Sequence, residues 1–189
     1  MARASGGLPH GVRIRPATMD DVAALRALIA ISAHGLGAGD YTPEQIAGAL
    51  EGVFGVDSQL IADGTYFVAE AGGVPVGCGG WSKRATLYGG DAHGGRDSAL
   101  LDPQSDAARI RAFFVHPDHA RRGIARALLE RCEAEAARTG FRELELMATL
   151  TGVRFYAAEG FAPGPTVDVP IARGLVLPCV SMRKAIAPG

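Results

Sequence analysis

The stretch from Ile110 to Leu146 constrains the fold more than any other, because it reads strand, helix, strand. Ile110–Val115 is a strand-type run, and Pro117 stops it because proline lacks a ladder donor. From Ile124 the apolar positions recur at 124, 128 and 132 and at 125, 129 and 136, the spacing of a helix face. Leu144 and Leu146, with Phe141 as a further candidate, start a strand after Gly140. Two strands joined by a crossover helix run parallel, and the connection is right-handed.

The remaining segments fit around that unit. Val12–Arg13–Ile14–Arg15 alternates as a short strand ended by Pro16. Thr18 caps a helix with Asp20 and Asp21 in its first turn; Val22, Leu25, Leu28, Ile29 and Ser32 form its stripe, and Gly35 ends it. Thr42 and Pro43 start a second helix that runs to about Val53. Gly72-Gly73 separates two β-type runs, Thr65–Glu70 and Val74–Trp81, as a hairpin turn does. Residues 82–108 read as a glycine-rich loop, which at that length is either functional or mobile. A short helix covers Gly152–Glu159, and strands near 175–186 finish the chain. The order predicts a mixed α/β domain over residues 12–189, preceded by a mobile tail at 1–11.

Composition removes several function classes. A net charge of −1 and a pI near 6.5 argue against broad nucleic-acid binding or attachment to an acidic membrane. No stretch approaches the roughly 18 apolar residues of a membrane span. The tail lacks the long apolar segment of a secretory signal. Cys78, Cys132 and Cys179 are odd in number and form no CxxC pair. That disfavours a disulfide framework or a zinc site and suits a reducing cytoplasm. Cys132 falls at an inward helix position.

The chemistry concentrates at "VHPDHARRGIA", residues 115–125. Basic residues suit the C-terminus of a helix, yet Arg121 and Arg122 stand at the start of one. The amides of a first helical turn have no internal partner and can converge on a phosphate. Gly123 removes the side chain that would block approach, Ile124 and Ala125 open the turn, and Arg126 adds a further cation. The alternative is a loop with surface arginines and a glycine placed for its conformation; spacing alone does not choose. The segment is neither a P-loop nor a GxGxxG fingerprint.

This segment resembles the cofactor-binding motif of the GCN5-related N-acetyltransferases, the GNAT superfamily, written (Q/R)-x-x-G-x-(G/A). Gly123 and Ala125 match, while Ala120 replaces the usual Gln or Arg. "TLTGVRFYAAEGF", residues 149–161, is similar to the family's Asn-x-x-Ala-x-x-(Leu/Phe)-Tyr-x-x-x-Gly-Phe segment. Thr149 stands at the Asn position, Gly152 at the Ala position, and Tyr156, Gly160 and Phe161 match. "RIRPATMDD" looks like the family's first strand and helix start.

The resemblance implies a GNAT fold, with a mixed central sheet of six to seven strands and helices on both faces. It implies acetyl transfer from acetyl-CoA to an amine, with strands ending at Val115 and Met147 splayed apart. The pantetheine arm then meets the backbone around Phe114 and Val115, and Thr149 is a further cofactor-binding position. The pyrophosphate lies over Arg121, Arg122, Gly123, Ile124, Ala125 and Arg126. The Val115 N–H stabilises the oxyanion, and Tyr156 stands where the family's acid stands; spacing alone reads Phe155-Tyr156 as aromatic packing, and the resemblance makes Tyr156 functional. A small-molecule amine is the expected acceptor. A non-catalytic acyl-CoA sensor and a protein N-terminal or lysine acetyltransferase are the alternatives. A homodimer, common in the family, is permitted.

The general base is not singled out. Glu70 is either a cleft carboxylate or an exposed strand residue. His116 and His119 are either site residues or structural. Asp91 and His93 sit in the long loop. Arg109 and Arg111 either hold an acidic acceptor or line a solvated face; Trp81 and Tyr88 either wall the pocket or pack. Gly35–Gly39 looks like a nucleotide loop but follows a helix, so it reads as a connector or a substrate loop bordering the acceptor site.

Overall fold

The computed structural model describes residues 8–187. The expected mobile tail lies outside the described residues up to residue 7, and the Val12 N–H returns to the Pro9 carbonyl. Seven strands form one sheet: β1 (Val12–Pro16), β2 (Tyr66–Ala71), β3 (Val74–Ser82), β4 (Ala108–Val115), β5 (Glu143–Thr149), β6 (Ala162–Pro170) and β7 (Val176–Ala185), in the order β1-β2-β3-β4-β5-β7-β6. All neighbours are antiparallel except β4 and β5, the pair joined by the crossover helix.

The helices are α1 (Val22–Gly37), α2 (Pro43–Leu50), α3 (Ser58–Ala62), α4 (Ile124–Arg138) and α5 (Leu150–Ala158). Strand alternation divides them between two faces. Phe67 and Ala69 join the core under α4 with Ile124, Leu128, Leu129 and Cys132, and Tyr156 of α5 completes that cluster. Tyr66 and Val68 face the other way, onto Leu25, Leu28 and Ile29 of α1 and Leu60 of α3. A third cluster packs Ile46 and Ala49 of α2 against Leu177 and Cys179 of β7. Thr42 caps α2 reciprocally with Gln45, as its sequence signals.

Three expectations are corrected. The short helix α3 is absent from the sequence reading; Asp57 caps it, accepting from the Gln59 N–H. The last two strands do not both lie near 175–186, because β6 begins at Ala162. Its Pro163, Pro165 and Pro170 hid it, and they are tolerated because β6 is an edge strand. The loop at 82–108 is tied down: Arg84 bridges to Leu100, the Asp91 N–H reaches back to the Val56 carbonyl, and Arg96 pairs with buried Asp57 at 2.6 Å.

Two irregularities in β4 shape the space between the strands. Gly77 pairs with Val115 and Gly80 with Arg111, so β4 carries one residue more than β3 across that interval. Ala112 takes up the extra length in the left-handed region (φ 55), and its carbonyl accepts from the Tyr66 hydroxyl at 3.3 Å. Gly79 makes room for the bulged segment: a Cβ there would stand 2.6 Å from the Phe113 ring. Second, β4 and β5 pair only at Ala108–Leu144 and Arg109–Glu145. Beyond that, β4 stays with β3 and β5 stays with β7, and the strands part.

Candidate active site

A cleft of about 940 Å³ opens where β4 and β5 part. Phe114, Val115, Thr149 and Tyr156 line it, together with Arg121, Gly123, Ile124, Ala125 and Arg126. Of the residues expected there, Arg122 is exposed and stands outside the lining.

The mouth of α4 presents unpaired amides. Its first helical bond runs from the Ala127 N–H to the Gly123 carbonyl. The amides of Arg121 through Arg126 precede that bond and have no backbone acceptor among the described residues. Gly123 is left-handed (φ 87), and nothing lies within 4 Å of where its Cβ would be. A side chain there is excluded by backbone conformation, and the space over the amides is open. Arg121 is also left-handed (φ 61) and, like Arg122, has no carboxylate partner among the described residues. Arg126 is different, because its guanidinium is held by Glu159 at 2.8 Å.

The rest of the cleft wall comes from four elements. Phe114 meets Phe54 edge-on at 5.6 Å, and the Val115 N–H donates to Ser32 Oγ of α1 at 3.2 Å. Tyr156 sits in an aromatic cluster with Phe113, Phe155 and Phe161. Burial raises its pKa well above the usual phenol value, and its hydroxyl makes no hydrogen bond among the described residues. Packing and cleft position therefore coincide in this residue. Asp40 and Tyr41, after α1, clamp the start of α5. The Tyr41 hydroxyl donates to the Pro178 carbonyl at 2.7 Å and accepts from the Leu150 N–H at 2.8 Å, and Asp40 accepts from Thr151 Oγ1 at 2.7 Å.

The other candidates scatter. Glu70 is neither exposed nor in the cleft: it is buried, and Arg15 and then Arg13 hold it below the usual carboxylate range. Arg109 and Arg111 do not form a solvated face, since Arg109 pairs with Glu145 and Arg111 with Asp57. Arg111 also borders the cleft, where burial lowers its pKa and its Nε has no partner. Asp91 binds Ser58 and Arg96, and His93 meets the Tyr88 ring at a tilt, 5.3 Å between centroids; of these only Tyr88 reaches the cleft. Trp81 is buried and donates to Glu135. His119 lines the cleft, whereas His116 caps the turn at Pro117. Gly35–Gly39 is no free connector, because α1 continues through Gly37, and Leu36 and Gly37 line the cleft.

The sequence does not single out Tyr41 and Cys179 as lining residues, whereas Met147, expected at the parting of the strands, does line the cleft. Ser32 is a polar residue in the otherwise apolar stripe of α1. That was the available signal.

Comparison with known proteins fits this geometry. A GCN5-related N-acetyltransferase of Rhodopseudomonas palustris superposes with a TM-score of 0.70 at 24% identity, covering 97% of this chain and 99% of its own. The paia N-acetyltransferase of Thermoplasma acidophilum, solved with coenzyme A, gives 0.63 at 15% identity over 92% and 98%. The yncA protein of Salmonella typhimurium, solved with its cofactor acetyl-CoA, gives 0.58 at 19% over 95% and 96%. Those likenesses show a shared fold. No match was found among curated proteins. Among the described residues no helix is long and apolar enough to cross a membrane. Residues 62–163, which hold the bulged strand, the helix mouth and the Tyr156 segment, match the acetyltransferase (GNAT) domain, and this chain belongs to that family.

Proposed function

We propose that this protein transfers the acetyl group of acetyl-CoA to the amine of a small molecule by direct attack, with both substrates bound. The observation that carries the proposal is the run of acceptor-free amides from Arg121 to Arg126, set at the positive end of α4 beside the parted strands. A diphosphate suits those donors, and Arg121 adds a charge-assisted contact. Phe114, Val115 and Thr149 all line the opening, and the backbone of the first two would receive the pantetheine arm. Acetyl-CoA supplies an acyl group activated as a thioester. The Val115 amide, which donates to Ser32 Oγ at 3.2 Å, would stand beside the oxygen where negative charge collects, and Tyr156 would hold a proton for the departing thiolate. The raised pKa of Tyr156 keeps that proton in place through the physiological range. The coenzyme A in the Thermoplasma structure and the acetyl-CoA in the Salmonella structure support the reading.

The acceptor end of the cleft supports a small molecule over a peptide. Val53, Phe54 and Gly55 wall it on one side and Leu87, Tyr88 and Gly89 on another. The two walls are locked by close packing: a Cβ on Gly90 would stand 2.8 Å from the Gly55 Cα. Calorimetry with CoA, followed by thiol release across a panel of small amines and peptides, tests the proposal. Binding plus turnover of small amines is expected. Absence of both would overturn it, and turnover of peptides alone would overturn the acceptor class.

A further inference from the structure

Ser32 is the polar member of the buried stripe of α1, beside Leu25, Leu28, Ile29 and Ala33. It is 5% exposed and lines the cleft. Its oxygen accepts the Val115 N–H at 3.2 Å. A hydroxyl both accepts and donates, and the Ser32 proton has no acceptor among the described residues, not even the preceding helical turn where serine usually donates. A buried hydroxyl with one function satisfied and the other free, on the wall of an open cleft, offers its proton to whatever fills that cleft: water when it is empty, a ligand's acceptor when it is occupied.

The placement has a structural cause. Gly35, one helical turn further along α1, has no room for a side chain, because a Cβ would stand 2.3 Å from Pro117 Cγ. Glycine there lets α1 close onto the turn after β4, and that approach brings Ser32 to Val115. The consequence for Val115 is direct. Its amide already has a partner, so the donor presented to the cleft is the Ser32 O–H. The amide bond polarises that hydroxyl and makes it a better donor.

We propose that Ser32 donates a hydrogen bond to the thioester carbonyl oxygen of acetyl-CoA, acting with the Val115 amide as a two-membered relay for negative charge on that oxygen. The proposal rests on the acetyl-transfer reading above and names a side chain on α1, outside both the 115–125 and the 149–161 segments that carry the family likeness.

The test compares three probes by calorimetry on wild type and Ser32→Ala: CoA, acetyl-CoA and S-ethyl-CoA, a thioether that lacks only the carbonyl oxygen. The expected result is that wild type prefers acetyl-CoA to S-ethyl-CoA, and that Ser32→Ala lowers acetyl-CoA affinity roughly fivefold while the other two hold. Ser32→Thr, which keeps the hydroxyl, restores the preference. Equal weakening of all three probes would make Ser32 structural, and no change would make it idle; either result overturns the proposal. A second measurement needs no variant: the infrared band of carbonyl-labelled acetyl-CoA on the wild-type protein. A shift to lower frequency than in an aprotic solvent is expected, and an unshifted band overturns the proposal. If wild type bound none of the probes, acetyl transfer itself would fall, an outcome distinct from the others.

Discussion

Gly35 and Pro117 lie so close that α1 packs directly onto the turn after β4; a single added carbon on Gly35 would come within 2.3 Å of the proline ring. Pro117 is a ring on a fixed backbone and cannot swing aside as a long side chain would. Gly35→Ala should therefore push α1 outward and lower stability by about 1–3 kcal/mol. Urea unfolding measures this, and CoA affinity should fall alongside. An alanine variant of wild-type stability would mean that the contact relaxes without cost.

The two arginines that open α4 are not equivalent. Arg121 lines the cleft and Arg122 does not. Arg121→Glu should weaken CoA binding about tenfold or more, the scale of a lost charge-assisted bond, and Arg122→Glu clearly less. Raising the salt concentration should shrink both effects, because these side chains are exposed. Titration of each variant with CoA decides the order.

Tyr156→Phe removes a hydroxyl that has no protein partner among the described residues, so the aromatic cluster and the fold should be kept. Turnover should drop by about 100-fold with CoA affinity retained, as expected for a lost general acid. Because burial raises the Tyr156 pKa, the wild-type rate should show no alkaline loss from this group below pH about 10. A variant that keeps full turnover would reduce Tyr156 to a packing residue.

Glu70 makes a separate prediction about acid. Its folded-state pKa lies below its unfolded one, chiefly through the Arg15 hydrogen bonds and then through Arg13. The stabilisation is thus fully present above the unfolded pKa of about 4.3 and is lost as pH falls through the folded value. Glu70→Gln should cost about 1–3 kcal/mol at pH 7 and flatten the loss of stability below pH about 4. Unfolding curves at neutral and acid pH measure both effects.

These sites differ in how plainly the sequence announced them. The α4 crossover was legible because apolar spacing and Gly123 are local signals. The hairpin at Gly72-Gly73 was legible for the same reason, and both glycines adopt positive φ. Strand β6 was not, because its prolines argue against a strand until one knows it lies at the sheet edge. Glu70, Arg109 and Arg111 alternate as a solvated face would, yet their partners come from β1, β5 and the cap of α3, far along the chain. Ion pairs made by tertiary packing leave no periodic trace. Ser32 was visible as a residue and silent as a function, since only the approach of α1 to β4 gives its hydroxyl a meaning.

The parting of β4 from β5 after two residue pairs also bears on how the sheet avoids recruiting a neighbour. A strand with an unfinished ladder ordinarily invites another chain to complete it and so seeds aggregation. Here two such ladders are left unfinished in the interior, roofed by α1 on one face and by α4 and α5 on the other. On the acetyl-CoA reading, the slender amide-bearing arm of that substrate would complete them, whereas the flat edge of a neighbouring sheet would meet the helices first.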